Sequence, residues 1–351
     1  MKLLDRILLE GMQDMILTEY CDKAQNSLFQ YFWEEQEGVL QNHYPVRETE
    51  NWIYWWHAHA LDCLIDGYIR TDDPKYLTKI RKEYNGTFTI NGKTFLHNWY
   101  DDMEWMALAQ LRLWDVTGEE AYKEQVLHLW EDIKTAWNEQ MGGGMAWKKD
   151  QTDYKNTPAN APAAILAFRL YQRFHAKEDL DWGSKILDWN ITNLVDPVSG
   201  AVWDGKNRQG DGKIDYEWNY TYNPGVVIGA LVELYKINGS KETLDTAVKI
   251  ASEAKRFFAD SHGGVLPYEG VDDCGLFKGI FIRYLCLLIE VCPELKDMKK
   301  MILFNAHCVI EKGMNENGLI GGSWEKKERE SVDLAQHLSG IMLLEAAIRL
   351  R

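Results

Sequence analysis

Asp101 and Asp102 are adjacent carboxylates in the segment HNWYDDMEWMALA, residues 97–109. They fall where an apolar, helix-periodic run begins, and a helix N-terminus stabilises negative charge. Two carboxylates held a few Å apart can divide the work of glycosidic cleavage, and retaining glycosidases need a separation of about 5–5.5 Å. One stays ionised as nucleophile. The other, its pKa raised by its neighbour, protonates the leaving oxygen. Trp99, Tyr100 and Trp105 surround the pair. A helix cap also accounts for an Asp pair at such a position. The chain offers two comparisons, Asp72-Asp73-Pro74 at an expected outer helix and Asp272-Asp273 at an expected inner one. The first reads as a cap. Asp272 and Asp273 start an inner helix on the same rim as Asp101, where they are expected to line the same cavity.

Two further segments fall at the same rim. In GGGMAWKKDQTDYKNTPANAPAA (142–164), Trp147 offers a flat ring for a sugar face, and Asn156 and Asn160 offer amides for hydroxyls or for capping. The glycines permit a tight turn, but without a G-K-[ST] ending or a preceding strand this is no phosphate loop. In EWNYTYNPGVV (217–227), Tyr220, Tyr222 and Asn223 precede another inner helix. The expected substrate contacts are therefore Trp99, Tyr100, Trp147, Asn160, Tyr222, Asn223, Asp272 and Asp273.

No metal or cofactor is expected. His57-Ala58-His59 has the wrong spacing for two ligands on one helix face, and no HExxH occurs. The loop DGKNRQGDGKID (204–215) puts Lys206 and Arg208 where a calcium loop needs oxygen ligands.

Positioning these groups falls to two kinds of helix. One is amphipathic: in 119–138, Tyr122, Val126, Leu129, Trp130, Ile133 and Trp137 form one stripe, and 10–32, 73–83, 178–194, 242–259 and 296–312 behave alike. The other is apolar nearly all round, as in APAAILAFRL (161–170) and GIFIRYLCLLIEV (279–291), and must be covered on both sides. Helices of this second kind start near 50, 98, 157, 222, 273 and 331, a diverged repeat of helical hairpins. Six inner and six outer helices predict an all-α (α/α)6 toroid, one domain over residues 1–351. Gly- and aromatic-rich loops at 141–150, 199–205, 262–270 and 317–327 are expected as hairpins or turns on one rim.

Composition bounds the partners. The 351 residues carry 39 Lys plus Arg against 54 Asp plus Glu, a formal charge of −15. That argues against nucleic acid, whose phosphates need a clustered basic surface. No apolar run reaches the about 18 residues of a membrane span. In MKLLDRILLEGMQDMILTEY, Asp5, Glu10 and Asp14 break any signal-peptide core, so the segment reads as an amphipathic helix. Six scattered cysteines read as buried thiols, and the expected location is cytoplasmic. With 15 Trp and 17 Tyr there are rings enough both to fill a core and to line a groove.

The chain resembles glycoside hydrolase family 76, the bacterial and fungal α-1,6-mannanases and related transglycosidases. The resemblance is carried by NWIYWWHAHALDCLIDGY (51–68), WYDDMEWMALAQLRLWDVTG (99–118), GGGMAWKKDQTDYKNTPANAPAAILAFRLY (142–171) and TYNPGVVIGALVELYKING (221–239). It implies an (α/α)6 barrel, retention of configuration, and α-1,6-linked mannose polymers or oligosaccharides as substrate. It also implies Asp101 as nucleophile and Asp102 as acid/base. Many polymer-degrading members are exported, and the broken signal core departs from them. Two other functions suit the same toroid: a sugar epimerase using His57, His59 and His97, and a non-catalytic glycan-binding protein.

Overall fold

The computed structural model describes residues 3–47, 52–328 and 331–351. The side chains of Asp5, Glu10 and Asp14, and residues 50–51 of the first expected inner helix, lie outside the described residues. Among the described residues there are twelve α-helices. The inner ones are α2 (Tyr54–Thr71), α4 (Tyr100–Thr117), α6 (Thr157–Phe174), α8 (Tyr222–Asn238), α10 (Cys274–Val291) and α12 (Leu334–Arg349). The outer ones are α1 (Leu3–Ser27), α3 (Pro74–Ile90), α5 (Glu120–Lys134), α7 (Lys177–Leu194), α9 (Lys241–Ala254) and α11 (Lys296–Cys308).

The inner helices pack in chain order, α2 on α4, α4 on α6, and so on to α10 on α12, and α12 returns to α2. That contact closes the toroid. Helices α3, α5, α7 and α9 each cover the inner helix before them, α11 lies against α10 and α12, and α1 covers α12. Hydrophobicity explains the layers. Helix α10 buries residues around its whole circumference, including Leu276, Ile280, Phe281, Ile282 and Leu285, while α9 buries only Ala247, Ile250, Ala251 and Ala254. Two glycines let inner helices touch. A Cβ on Gly225 would lie 2.7 Å from the Phe281 Cα, and one on Gly279 would lie 2.6 Å from the Ser339 Cα.

Helices α2, α4, α6 and α8 each stop on a left-handed residue, Asp72, Gly118, His175 and Gly239. Each N–H there donates to the carbonyl four residues earlier, which satisfies an orphan acceptor and turns the chain at once into the next outer helix. Long connections are thereby confined to the other end, ahead of the inner helices. Helix α3 runs to Ile90, past the expected end at residue 83, because Glu83, Gly86 and Thr87 are buried against the loop before α2.

The long connections carry the strands. β1 (Trp33–Glu34) pairs with β2 (Val39–Leu40), and β3 (His43–Tyr44) pairs with β7 (Val332–Asp333), joining the loops ahead of α2 and α12. β4 (Ala146–Lys148), β5 (Gln151–Asn156) and β6 (Gly205–Lys206) form an antiparallel sheet that spans the loops ahead of α6 and α8. Of the four expected rim loops, 141–150 supplies β4, 199–205 bridges Val202 to Val195 and runs into β6, 262–270 is turn and coil, and 317–327 is bridged through Ile320 to Met314.

Ion pairs close the opposite end. Arg112 on α4 bonds Asp62 and Asp66 on α2 at 2.6 Å each, and Arg283 on α10 reaches Asp66 at 2.6 Å. Burial opposes ionisation of Asp66, but the two guanidinium groups override it and hold the carboxyl well below its usual range. Arg169 with Glu233 links α6 to α8, and Arg70 with Glu345 links α2 to α12.

Candidate active site

Trp99 occupies the N-cap of α4 in an extended conformation and cannot accept a capping bond. Asp101 and Asp102 lie in the first turn and do not cap the helix. Asp73, by contrast, is a true cap, accepting from the Lys75 N–H at 2.9 Å. Asp101 Oδ1 accepts from the backbone N–H of Asp102 at 3.1 Å, and its Oδ2 accepts from the indole N–H of Trp147 on β4 at 3.1 Å. Asp102 Oδ2 lies 3.0 Å from His97 Nδ1.

Burial raises both carboxyls well above their usual range. The charge of Asp102 adds to this at Asp101, and that of Asp273 adds to it at Asp102. Only Asp101 also has bonds that favour its ionised form, from the Asp102 N–H and Trp147. The two carboxyls are thus in unequal surroundings: among the described residues Asp101 accepts two hydrogen bonds, and Asp102 accepts none.

The pair faces a cavity of about 740 Å³. First-turn residues of α2, α4, α6, α8 and α10 open onto it, so five helix N-termini converge there. More than half of the lining residues are aromatic. A larger groove of about 1010 Å³ runs along α1, but it is shallow and holds no paired carboxylates against aromatic walls.

Of the expected contacts, Trp99, Trp147, Tyr222 and Asp273 line the cavity. The Tyr222 ring stacks on Phe277 at 3.9 Å between centroids, and its hydroxyl donates to Asp204 Oδ1 at 3.0 Å. Asp273 Oδ1 accepts from the indoles of Trp55 and Trp56 at 2.8 and 3.0 Å.

Four expected contacts lie elsewhere. Tyr100 points away, its hydroxyl 3.1 Å from Thr135 Oγ1, because one residue along a helix turns the side chain by about 100°. Asn160 is fully buried and clamps β4 to α6 through both the N–H and the carbonyl of Met145. Asn223 is buried behind Tyr222 and donates to Asp204 at 3.2 Å. Asp272 is exposed, and its N–H donates to Asp333, the cap of α12. Side-chain ligand atoms of His43, Asp272 and Asp333 come within 4.8 Å of one another, with Arg47 also on Asp333. The grouping reads as an ion-pair cluster tying β3 to β7, apart from the cavity.

Sequence reasoning missed Asp204. It is buried at the cavity wall and gathers the hydroxyls of Tyr154 and Tyr222, the Asn223 amide and Arg208. Arg208 lies over the Trp218 ring at 3.7 Å and also bonds Asp215. In the sequence it stood only at the start of the 204–215 loop, and the structure shows why Gly205 follows it: a Cβ there would strike the Tyr154 ring.

The three histidines do not converge. His57 is buried between Glu83 at 2.6 Å and Asn42 at 3.3 Å, and His59 lies beneath Trp55 and Trp105. Only His97 reaches the cavity. A histidine acid/base pair for epimerisation is therefore not assembled.

A closed α/α toroid with an unequal carboxyl pair in a deep aromatic basin defines a glycoside hydrolase. Comparison agrees: the profile of glycosyl hydrolase family 76 matches residues 17–349, and the chain belongs to that family. An α-1,6-mannanase from a Salegentibacter species is 39% identical, with a TM-score of 0.90 over 95% of this chain and all of the other. Its inactive variant, with two consecutive aspartates replaced by asparagine, has been solved in complex with α-1,6-mannotriose. A Listeria innocua protein is 38% identical, with a TM-score of 0.91 over 95% of this chain and 97% of that one. A mannan endo-1,6-alpha-mannosidase of Saccharomyces cerevisiae is 24% identical over 70% of this chain, and the match spans 60% of the yeast protein's length.

Proposed function

We propose that the protein hydrolyses α-1,6-linked mannose chains with retention of configuration. The observation that carries this is the Asp101–Asp102 pair, with Asp101 bonded by Trp147 and Asp102 left without a comparable bond, inside an aromatic basin. The Salegentibacter mannanase, similar over nearly the whole chain, supports the linkage and the sugar.

In the first step an oxygen of Asp101 bonds to the anomeric carbon as its bond to O6 breaks, and the Asp102 proton passes to O6. In the second, Asp102 takes a proton from water, the water oxygen bonds to the anomeric carbon, and Asp101 departs as a carboxylate. The ring faces lining the basin suit the C–H faces of mannose. The six cysteines, free and mostly buried, support a cytoplasmic setting, which cell fractionation would check.

The test is proton NMR of the protein with α-1,6-mannotetraose. Initial release of the α-anomer supports the proposal. Initial release of the β-anomer overturns retention, and an untouched oligosaccharide overturns the substrate.

A further inference from the structure

His97 Nδ1 is buried 3.0 Å from Asp102 Oδ2 but out of line with it, so that nitrogen makes no hydrogen bond among the described residues and Asp102 is the acceptor within its reach. The imidazole is stacked on Tyr54 at 4.7 Å and 9°, and lies tilted against Trp99 at 5.1 Å and 33°. Tyr54 is itself fixed, its hydroxyl donating to the Phe95 carbonyl at 2.8 Å. The ring therefore cannot swing away from Asp102.

We propose that His97 is a positioning residue that holds the Asp102 proton on the oxygen facing the substrate, an inference that rests on the hydrolase reading above. A neutral imidazole carries one proton. Placed on Nδ1, it has Asp102 Oδ2 as its acceptor once the carboxyl turns into line, as it would when substrate draws the other oxygen toward O6. The proton of the neutral acid must then sit on Oδ1, free to reach the glycosidic oxygen. His97 keeps its own proton through both steps, so the proton count of the reaction is unchanged.

The surroundings keep the ring neutral. Burial lowers its pKa, the charge of Asp101 on α4 opposes that, and Lys149 in the β4–β5 turn reinforces it. Asp102 shares α4 with Asp101. Tyr54 on α2, the other titratable group against the ring, has its phenol pushed well above its usual range by burial and stays uncharged.

The test pairs kinetics with spectroscopy. His97→Phe keeps the aromatic stack and removes the donor, and His97→Asn restores a donor near the same place. With α-1,6-mannotetraose, His97→Phe should lose about 30-fold or more in kcat with KM within about threefold. With an α-1,6-mannobiosyl fluoride, whose leaving group needs little protonation, the loss should be under about threefold, and His97→Asn should recover about fivefold or more on the tetraose. Equal losses on both substrates, or a change in KM alone, would overturn the proposal. Independently of turnover, 15N-histidine NMR of the wild-type chain at pH 7 should show His97 neutral with its proton on Nδ1, in a signal that moves in Asp102→Asn. A proton on Nε2, or a charged ring, overturns it. Should wild type cleave neither substrate, the hydrolase reading fails, and the tautomer still decides the His97–Asp102 bond.

Discussion

The indole N–H of Trp147 and the carboxylate of Asp101 meet at 3.1 Å, although one is on a strand of the rim sheet and the other in the first turn of an inner helix. Trp147→Phe removes the donor and keeps most of the ring. A bond to a charged group is worth about 1.5–3 kcal/mol, so kcat/KM should fall about 10- to 100-fold. Because the bond favours ionised Asp101, its loss raises that pKa, and the acidic limb of the pH–rate profile should move to higher pH. A profile that drops in height without moving would show that the indole only packs.

Removing either carboxylate should separate their roles. Asp101→Ala and Asp102→Ala should each lose at least about 10²–10⁴-fold on α-1,6-mannan oligosaccharides. Azide should rescue Asp102→Ala, yielding a mannosyl azide with retained configuration, since attack on the glycosyl-enzyme then needs no base. Azide that gave the same retained product with Asp101→Ala would reverse the assignment.

The basin lowers stability at neutral pH. Asp101, Asp102 and Asp204 all have pKa values raised, chiefly by burial. The folded chain therefore keeps protons that the unfolded chain gives up above about pH 4, so this part of the stability falls as pH rises through the raised values. The double variant Asp101→Asn, Asp102→Asn should melt at least about 2 °C above wild type at pH 7, with the gap narrowing toward pH 4. Calorimetry across that range decides it, and a wild type more stable than the variant at pH 7 would contradict the sign.

At the opposite end, Arg283→Met should leave Asp66 with only Arg112 as a partner. Stranding part of a buried charge pair costs about 3–5 kcal/mol, so a clear loss in denaturant midpoint is expected. Arg173→Met, which breaks a more exposed pair with Asp115, should cost under about 1 kcal/mol.

The toroid was legible because its two helix types differ in how much of their circumference is apolar, a property each segment carries locally. The Asp pair was legible because two carboxylates at a helix start are few and can be compared within the chain. What stayed hidden was direction. Tyr100 is adjacent to Asp101 yet turns toward Thr135, and Asn160 serves a strand backbone. Asp204 was hidden for another reason: its partners lie up to 50 residues away, Tyr154 brought to it by the rim sheet and Tyr222 by the start of α8. Periodicity reports which face is apolar, while loops assembled from distant segments leave no periodic trace.

The ring is a cask whose last stave is cut from the end of the chain. Helix α12 wedges between α2 and α10 and is covered by α1, so the sixth inner helix is locked by two elements that lie far before it in the sequence. Until residues 334–349 slot in, α2 and α10, which carry two walls of the basin around Asp101 and Asp102, have no helix between them to hold them in place. A chain broken off after α10 is an open crescent, and catalysis becomes a readout of whether the ring has closed.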